Sequence, residues 1–305
     1  MKRPLRTLSI LLAFAWAGAA EPAQKSLETA SELPPTPNPA PQMMTAELKA
    51  AAELSQAGQL MDAEHLAAGL RLPTRGRIAL SAPSQLRLSG REIAERARAG
   101  YVRVGWYYHC SECGNWHINT SGGYAISTDT IVTACHVLEP PPKMRNAEGF
   151  PIALRGESEV IPVLAVLAAD KDTDAAVLRA GVSNLVPLAL TDDVRVGDTV
   201  FCLSDPHGVR GYFSSGIINR LFSTKPSAGI DARFQRINVS TDWAPGSSGA
   251  AVLDERGNVI GHVARISSIF NSSPDSADHV GAKSATLMNL HEAVPAKSVL
   301  TLIGR

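Results

Sequence analysis

Beyond residue 100 the chain alternates short apolar or β-branched runs with clusters of Gly, Pro, Asn and Asp. "YAISTDTIVTA", "VIPVLAVLAA", "AAVLRA", "DTVFCLS", "SGIINRLF", "QRINVS", "GAAVLD" and "GNVIGHVARI" each have strand length, and no long helical period separates them. Such spacing predicts an antiparallel all-β barrel or sandwich. Upstream, Leu48, Leu54, Leu60 and Leu66 recur near helical spacing within an Ala-rich stretch. This predicts one helix over residues 44–70, or two split at Gly58. A further helix at 91–99 is expected behind a Ser89 cap, with a strand from Tyr101 to Trp106. The last apolar stretch, 286–303, reads as a closing helix kinked or split by Pro295.

The first twenty residues follow another pattern. Lys2, Arg3 and Arg6 precede an apolar run from Leu8 to about Ala17, followed by small residues at Ala19 and Ala20. That layout is a secretory signal, and the run is too short for a membrane span, so no stable membrane insertion is expected after cleavage. Residues 21–43, rich in Pro, Ala and Ser, read as a linker. The predicted organisation is therefore signal (1–20), linker (21–43), helical extension with its own linker (44–88) and one β domain (89–305). The helical extension either packs on the β domain or joins copies of the chain into a homo-oligomer.

Charge narrows the partners. The 305 residues carry 29 basic and 29 acidic side chains, and loss of the first twenty leaves 26 basic. A balance so close to neutral gives no electrostatic footprint for nucleic acid.

Three short segments carry candidate chemistry. In "TACHV" a strand ends at His136, and in "DTDAAVL" Asp174 opens an apolar run. "APGSSGAAVL" sets Ser247 and Ser248 between Gly246 and Gly249 in a forced turn, where a hydroxyl and neighbouring N–H groups point outward together. In chain order these give His, Asp and Ser. They resemble the three catalytic motifs of trypsin-like serine peptidases of the chymotrypsin fold. The resemblance is closest to the bacterial Deg (high-temperature-requirement) branch without a PDZ domain. "VGDTVFCLSDPHGVRGYFSSGIIN" and "GNVIGHVA" extend it over roughly residues 90–300. Only about 20 residues follow position 285, too few for a PDZ domain.

The resemblance implies two six-stranded antiparallel β-barrels and a serine endopeptidase that acts on protein or peptide substrates without a cofactor. By its pattern Ser248 is the nucleophile, His136 the general base and Asp174 the residue that orients it, with the N–H groups of Gly246 and Ser248 as oxyanion hole. Ala264, Arg265 and Ile266 in "HVARIS" are the expected substrate-pairing edge. Asp242, six residues before Ser248, is a candidate specificity carboxylate whose alternative is a turn-capping role. The G-x-S-x-G elbow of esterases is absent. The competing class is a non-catalytic or conditionally active peptide-binding module on the same fold.

The four cysteines complete the inventory. Cys135 and Cys202 are expected as buried free thiols. Cys110 and Cys113, in "YYHCSECGNWH", are expected as a loop disulfide in an exported chain, with zinc binding or free thiols as the alternatives.

Overall fold

The computed structural model describes residues 41–71, 78–224, 234–270 and 286–304. The proposed signal and nearly all of the first linker lie outside them. Two helices, α1 (Pro41–Gln56) and α2 (Ala63–Gly69), break at Gly58, whose φ of 67° favours glycine. Helix α3 (Gly90–Gly100) starts at a complete capping box between Ser89 and Glu92.

Twelve antiparallel strands follow. β1 (Tyr101–Cys110), β2 (Trp116–Ser127), β3 (Thr130–Thr133), β4 (Met144–Arg155), β5 (Glu159–Asp170) and β6 (Ala175–Ala180) close one barrel in the order β1-β2-β3-β6-β5-β4. β7 (Thr199–Ser204), β8 (Tyr212–Thr224), β9 (Phe234–Val239), β10 (Ala251–Asp254), β11 (Val259–Phe270) and β12 (Thr286–Pro295) close the second as β10-β11-β12-β9-β8-β7. The expected pair of six-stranded barrels is present.

Alternation along β1 explains its near-continuous burial. Val102, Val104, Trp106 and Tyr108 point into the first barrel core. On the other face Tyr107 packs with Ile152 and Leu154 against Ala51 of α1, and Arg103 donates to Glu47 of α1 at 2.7 Å. Glu47 also lies 3.5 Å from Arg210. A buried charge needs such partners. The helical extension therefore packs on the barrel, one of its two expected roles. A second apolar cluster, with Tyr124, Ile126, Leu188 and Leu253, joins the barrels to α3 and to the closing helix α4 (Ala296–Leu302).

The C-terminal expectation fails in part. Residues 286–295 form a strand rather than a helix, because β12 pairs with both β11 and β9 and closes the second barrel. Pro295 ends that strand and precedes α4, where its missing N–H does not matter.

Candidate active site

His136 follows β3, in a short 3-10 turn over Cys135–Leu138. The strand end is held by Thr133, whose hydroxyl donates to the Gly122 carbonyl at 2.7 Å. Asp174 sits in the turn between β5 and β6 with a φ of 63°, uncommon for a non-glycine residue. In this turn Asp170 accepts from the Asp172 N–H and the Thr173 hydroxyl. The turn delivers the Asp174 carboxylate to His136. His136 Nδ1 lies 2.9 Å from Oδ2 and 3.0 Å from Oδ1, and the His136 backbone N–H donates to Oδ1 at 3.0 Å.

Electrostatics follow from that contact. Hydrogen bonding to Asp174 raises the His136 pKa above the ordinary histidine value, against the opposing effect of burial. Burial acts to raise Asp174, but the hydrogen bonds and charge of His136 outweigh it and hold the carboxyl below the usual range. The pair thus keeps an ionised carboxylate behind the imidazole, which fixes the proton on Nδ1 and leaves Nε2 as a base.

A third participant was not foreseen in the sequence. His262 on β11 is fully buried, and its Nε2 donates to the Asp174 carbonyl at 2.9 Å. Its Nδ1 has no partner among the described residues, and burial pushes its pKa down to about 4. A neutral imidazole from the second barrel therefore holds the backbone of an aspartate on the first. The available signal was a histidine inside the apolar run "GNVIGHVARI", which the strand reading absorbed as one more strand position.

The serine turn, residues 245–249, belongs to the second barrel and reaches the first. Gly249 has a φ of 83°, and a Cβ there would lie 2.3 Å from Thr133 Oγ1 and 2.8 Å from the Ala134 nitrogen. Only glycine lets the turn close against the strand that leads into His136. Gly246 is likewise at positive φ, 100°, against the Asp205 carbonyl. The Pro245 carbonyl accepts from His207 N–H at 2.8 Å, and the Ala244 carbonyl from Ser247 N–H at 3.0 Å. The two serines then differ. Ser247 is fully buried, with Oγ accepting from Ala244 N–H, whereas Ser248 is partly exposed. Among the described residues, the N–H groups of Gly246 and Ser248 donate to no protein acceptor, and Ser248 Oγ and His136 Nε2 have no hydrogen-bond partner.

Beyond Val263, which exchanges hydrogen bonds with Gly249 and Ala250, no strand among the described residues covers the β10-facing edge of β11. Ala264, Arg265 and Ile266 lie there. Arg265 is paired with Glu292 at 2.8 Å, and its carbonyl accepts from Trp243 Nε1 at 3.4 Å. Asp242 is exposed, its carbonyl receiving the Ser214 hydroxyl.

Residues 120–261 match the trypsin-like peptidase domain model. They hold His136, Asp174 and Ser248. This stretch, from β2 to β11, is similar to a trypsin-like peptidase domain. The chain is 36% identical over 126 residues to the serine protease PepD of Mycobacterium tuberculosis, covering 37% of this chain and 25% of that one. It is 33% identical over 142 residues to a probable periplasmic DegP-like serine endoprotease of Halomonas elongata, covering 46% and 28%. The chain thus spans about a quarter of the length of these relatives. Among solved structures, the HtrA-type protease AlgW superposes with a TM-score of 0.53 at 19% identity, covering 71% of this chain and 66% of the other. That likeness identifies the chymotrypsin-like double barrel.

The four cysteines divide. Cys135 and Cys202 are buried and free, and burial pushes both thiols up to about 12, far from reactive thiolates. Cys110 and Cys113 are free as well, contrary to the expected loop disulfide. The hairpin tip draws the Cys113 sulfur to His117 Nε2 at 3.0 Å instead.

Proposed function

We propose that this protein is a serine endopeptidase that hydrolyses peptide bonds through an acyl-enzyme. The observation that carries the reading is the two-point grip of the Asp174 carboxylate on His136, beside a glycine-bounded turn that exposes Ser248 and two free N–H groups. Ser248 Oγ attacks the scissile carbonyl while His136 Nε2 takes its proton. The N–H groups of Gly246 and Ser248 receive the developing oxyanion. His136 then gives its proton to the leaving amine, and the same base activates the water that frees the acyl group. Asp174 stays ionised throughout and stabilises the imidazolium.

Substrates are proteins or peptides, bound as an added strand on the uncovered edge at Ala264–Ile266. The solved AlgW structure holds a decapeptide, which supports an extended peptide as the kind of ligand. No cofactor enters the scheme. Residues 1–20 serve as an export signal, so the enzyme works outside the cytoplasm. The unpaired Ser248 hydroxyl supports a second, narrower reading in which peptide binding completes the site.

A fluorophosphonate probe tests both. Labelling of the wild type that survives Ser247→Ala and vanishes in Ser248→Ala is the expected result. Labelling that appears only with added peptide selects the conditional form. A folded protein that is never labelled and cleaves no unfolded protein substrate overturns the proposal.

A further inference from the structure

The tip of the β1–β2 hairpin carries chemistry that peptide hydrolysis does not use. Cys110 Sγ, Cys113 Sγ and a ring nitrogen of His117 all lie within 4.8 Å of one another. Cys113 Sγ and His117 Nε2 are 3.0 Å apart. We propose that Cys110, Cys113 and His117 form a binding site for one zinc ion that fastens this hairpin, with solvent as the fourth ligand.

The loop is shaped for this before any ion arrives. Cys110 N–H donates to the Asn115 carbonyl at 2.9 Å and Gly114 N–H to the Cys110 carbonyl at 3.1 Å. Gly114 supplies the positive φ, 68°, that folds the four residues Cys110–Cys113 back on themselves. Within the turn, Ser111 N–H is anchored on the Lys143 carbonyl at 2.8 Å.

Ligand chemistry selects the ion. Two soft sulfurs and an imidazole suit zinc and reject calcium and magnesium, which want oxygen. With Zn–S near 2.3 Å and Zn–N near 2.1 Å, a tetrahedral ion spaces its ligand atoms by about 3.3–3.8 Å. That spacing lies between the 3.0 Å contact and the 4.8 Å outer limit seen here. Binding releases the two thiol protons and needs no redox partner.

The surroundings hold the ligands in place. His109 is not a ligand, since its Nδ1 faces Glu148 at 2.6 Å and its Nε2 the Gly114 carbonyl at 2.9 Å. It braces the turn instead. Trp116 stacks between Tyr107 and His109 at centroid distances of 4.5 and 5.4 Å. Cys113 and His117 are exposed, so an ion has an open approach.

The test uses the full chain, purified under reducing conditions, stripped with a chelator, and titrated with zinc against a chromophoric competitor. One equivalent per chain is expected. Cobalt in place of zinc should give thiolate charge-transfer absorption and the intense visible bands of a four-coordinate ion. Cys113→Ser and His117→Ala should each weaken zinc binding by more than about a hundredfold, because loss of a mere outer partner already costs ten- to a hundredfold. Both residues are exposed, and circular dichroism confirms that the variants remain folded. A reduced, folded chain that takes up no zinc, or that binds it equally well without Cys113 or His117, overturns the proposal. So does a cobalt complex without thiolate charge transfer.

Discussion

The seam between the barrels and the tip of the β1–β2 hairpin each set a histidine against a partner at hydrogen-bond distance, and they are built in opposite ways. At the seam the groups come from four separate segments, at 136, 174, 246–249 and 262: the Asp174 carboxylate accepts from the His136 backbone, the Asp174 carbonyl from His262, and Gly249 closes on Gly122 and Ala134 of the other barrel. At the tip every proposed ligand lies within eight residues of one turn, from Cys110 to His117. The seam exists only when both barrels are folded and docked. The tip draws its ligands from its own hairpin alone, so its chemistry should be separable from catalysis.

The largest effect expected from breaking this contrast is at Asp174. Asp174→Asn removes the carboxylate that holds the His136 tautomer, and kcat on a peptide substrate should fall by about 10⁴ with little change in KM. Cys113→Ser at the tip should leave kcat unchanged. A fall of similar size in both variants would make the two regions one cooperative unit.

Glycines sharpen the contrast next. Both Gly249 and Gly114 have positive φ, at 83° and 68°. A methyl group at Gly114 meets open space, so Gly114→Ala should cost only the backbone strain, about 1–2 kcal/mol. At Gly249 the same methyl meets Thr133 and the Gly122 carbonyl at 2.3 and 2.4 Å. Gly249→Ala must move one barrel from the other, adding to that strain, and should lose fluorophosphonate labelling as well. Urea denaturation of the two variants side by side measures the difference.

How far each region can be read from the sequence follows from the same contrast. Most of the strands were legible because their short apolar runs are local and recur along the chain, which pointed to a barrel or a sandwich; the pair of six-stranded barrels came from the family resemblance. The helical break at Gly58 was one of the two readings open for residues 44–70. The C-terminal strand was not legible, since "TLMNLHEAVP" has an apolar spacing compatible with a helix, and only pairing on both edges makes it a strand. At the tip, C-x-x-C with a following histidine was visible, but local spacing does not decide between a sulfur–sulfur bond and a thiol turned toward an imidazole. At the seam, no spacing rule links His136 to Asp174 across 38 residues; resemblance to a family did that. His262 had no such help. It occupies an ordinary strand position, and its reach to Asp174 depends on how the second barrel docks.

His262 supplies the next smaller effect. His262→Leu leaves the Asp174 carbonyl without its donor, at a cost of about 1–3 kcal/mol in stability. The carboxylate then loosens behind His136, and kcat should fall about ten- to a hundredfold. A merely structural role would stop there. As a positioning residue, His262 must also influence the His136 pKa, which the Asp174 contact holds above the ordinary value of about 6.5. The acid limb of the kcat/KM profile should therefore move down toward that value in His262→Leu, and move back in His262→Gln, which retains an N–H donor. A lowered kcat with an unmoved acid limb would reduce His262 to packing.

The smallest effect lies in the pH dependence of stability. His136 has a raised pKa in the folded protein, so its contribution is fully present below the ordinary histidine value and is lost as pH rises through the raised one. Asp174 has a lowered pKa, so its contribution is present above the ordinary carboxylate value and is lost as pH falls through the lowered one. Both contributions coincide only between those limits, around pH 5–6. The His136 side chain is 42% exposed, so solvent screens the pair and its worth is at most about 1 kcal/mol. The stability gap between the wild type and His136→Ala should accordingly be widest near pH 5–6 and narrow toward about pH 9, where the imidazole is neutral in both folded and unfolded chains. A gap that stays constant over that range would mean that the imidazole contributes by packing alone, and that the charge of Asp174 serves the reaction rather than the fold.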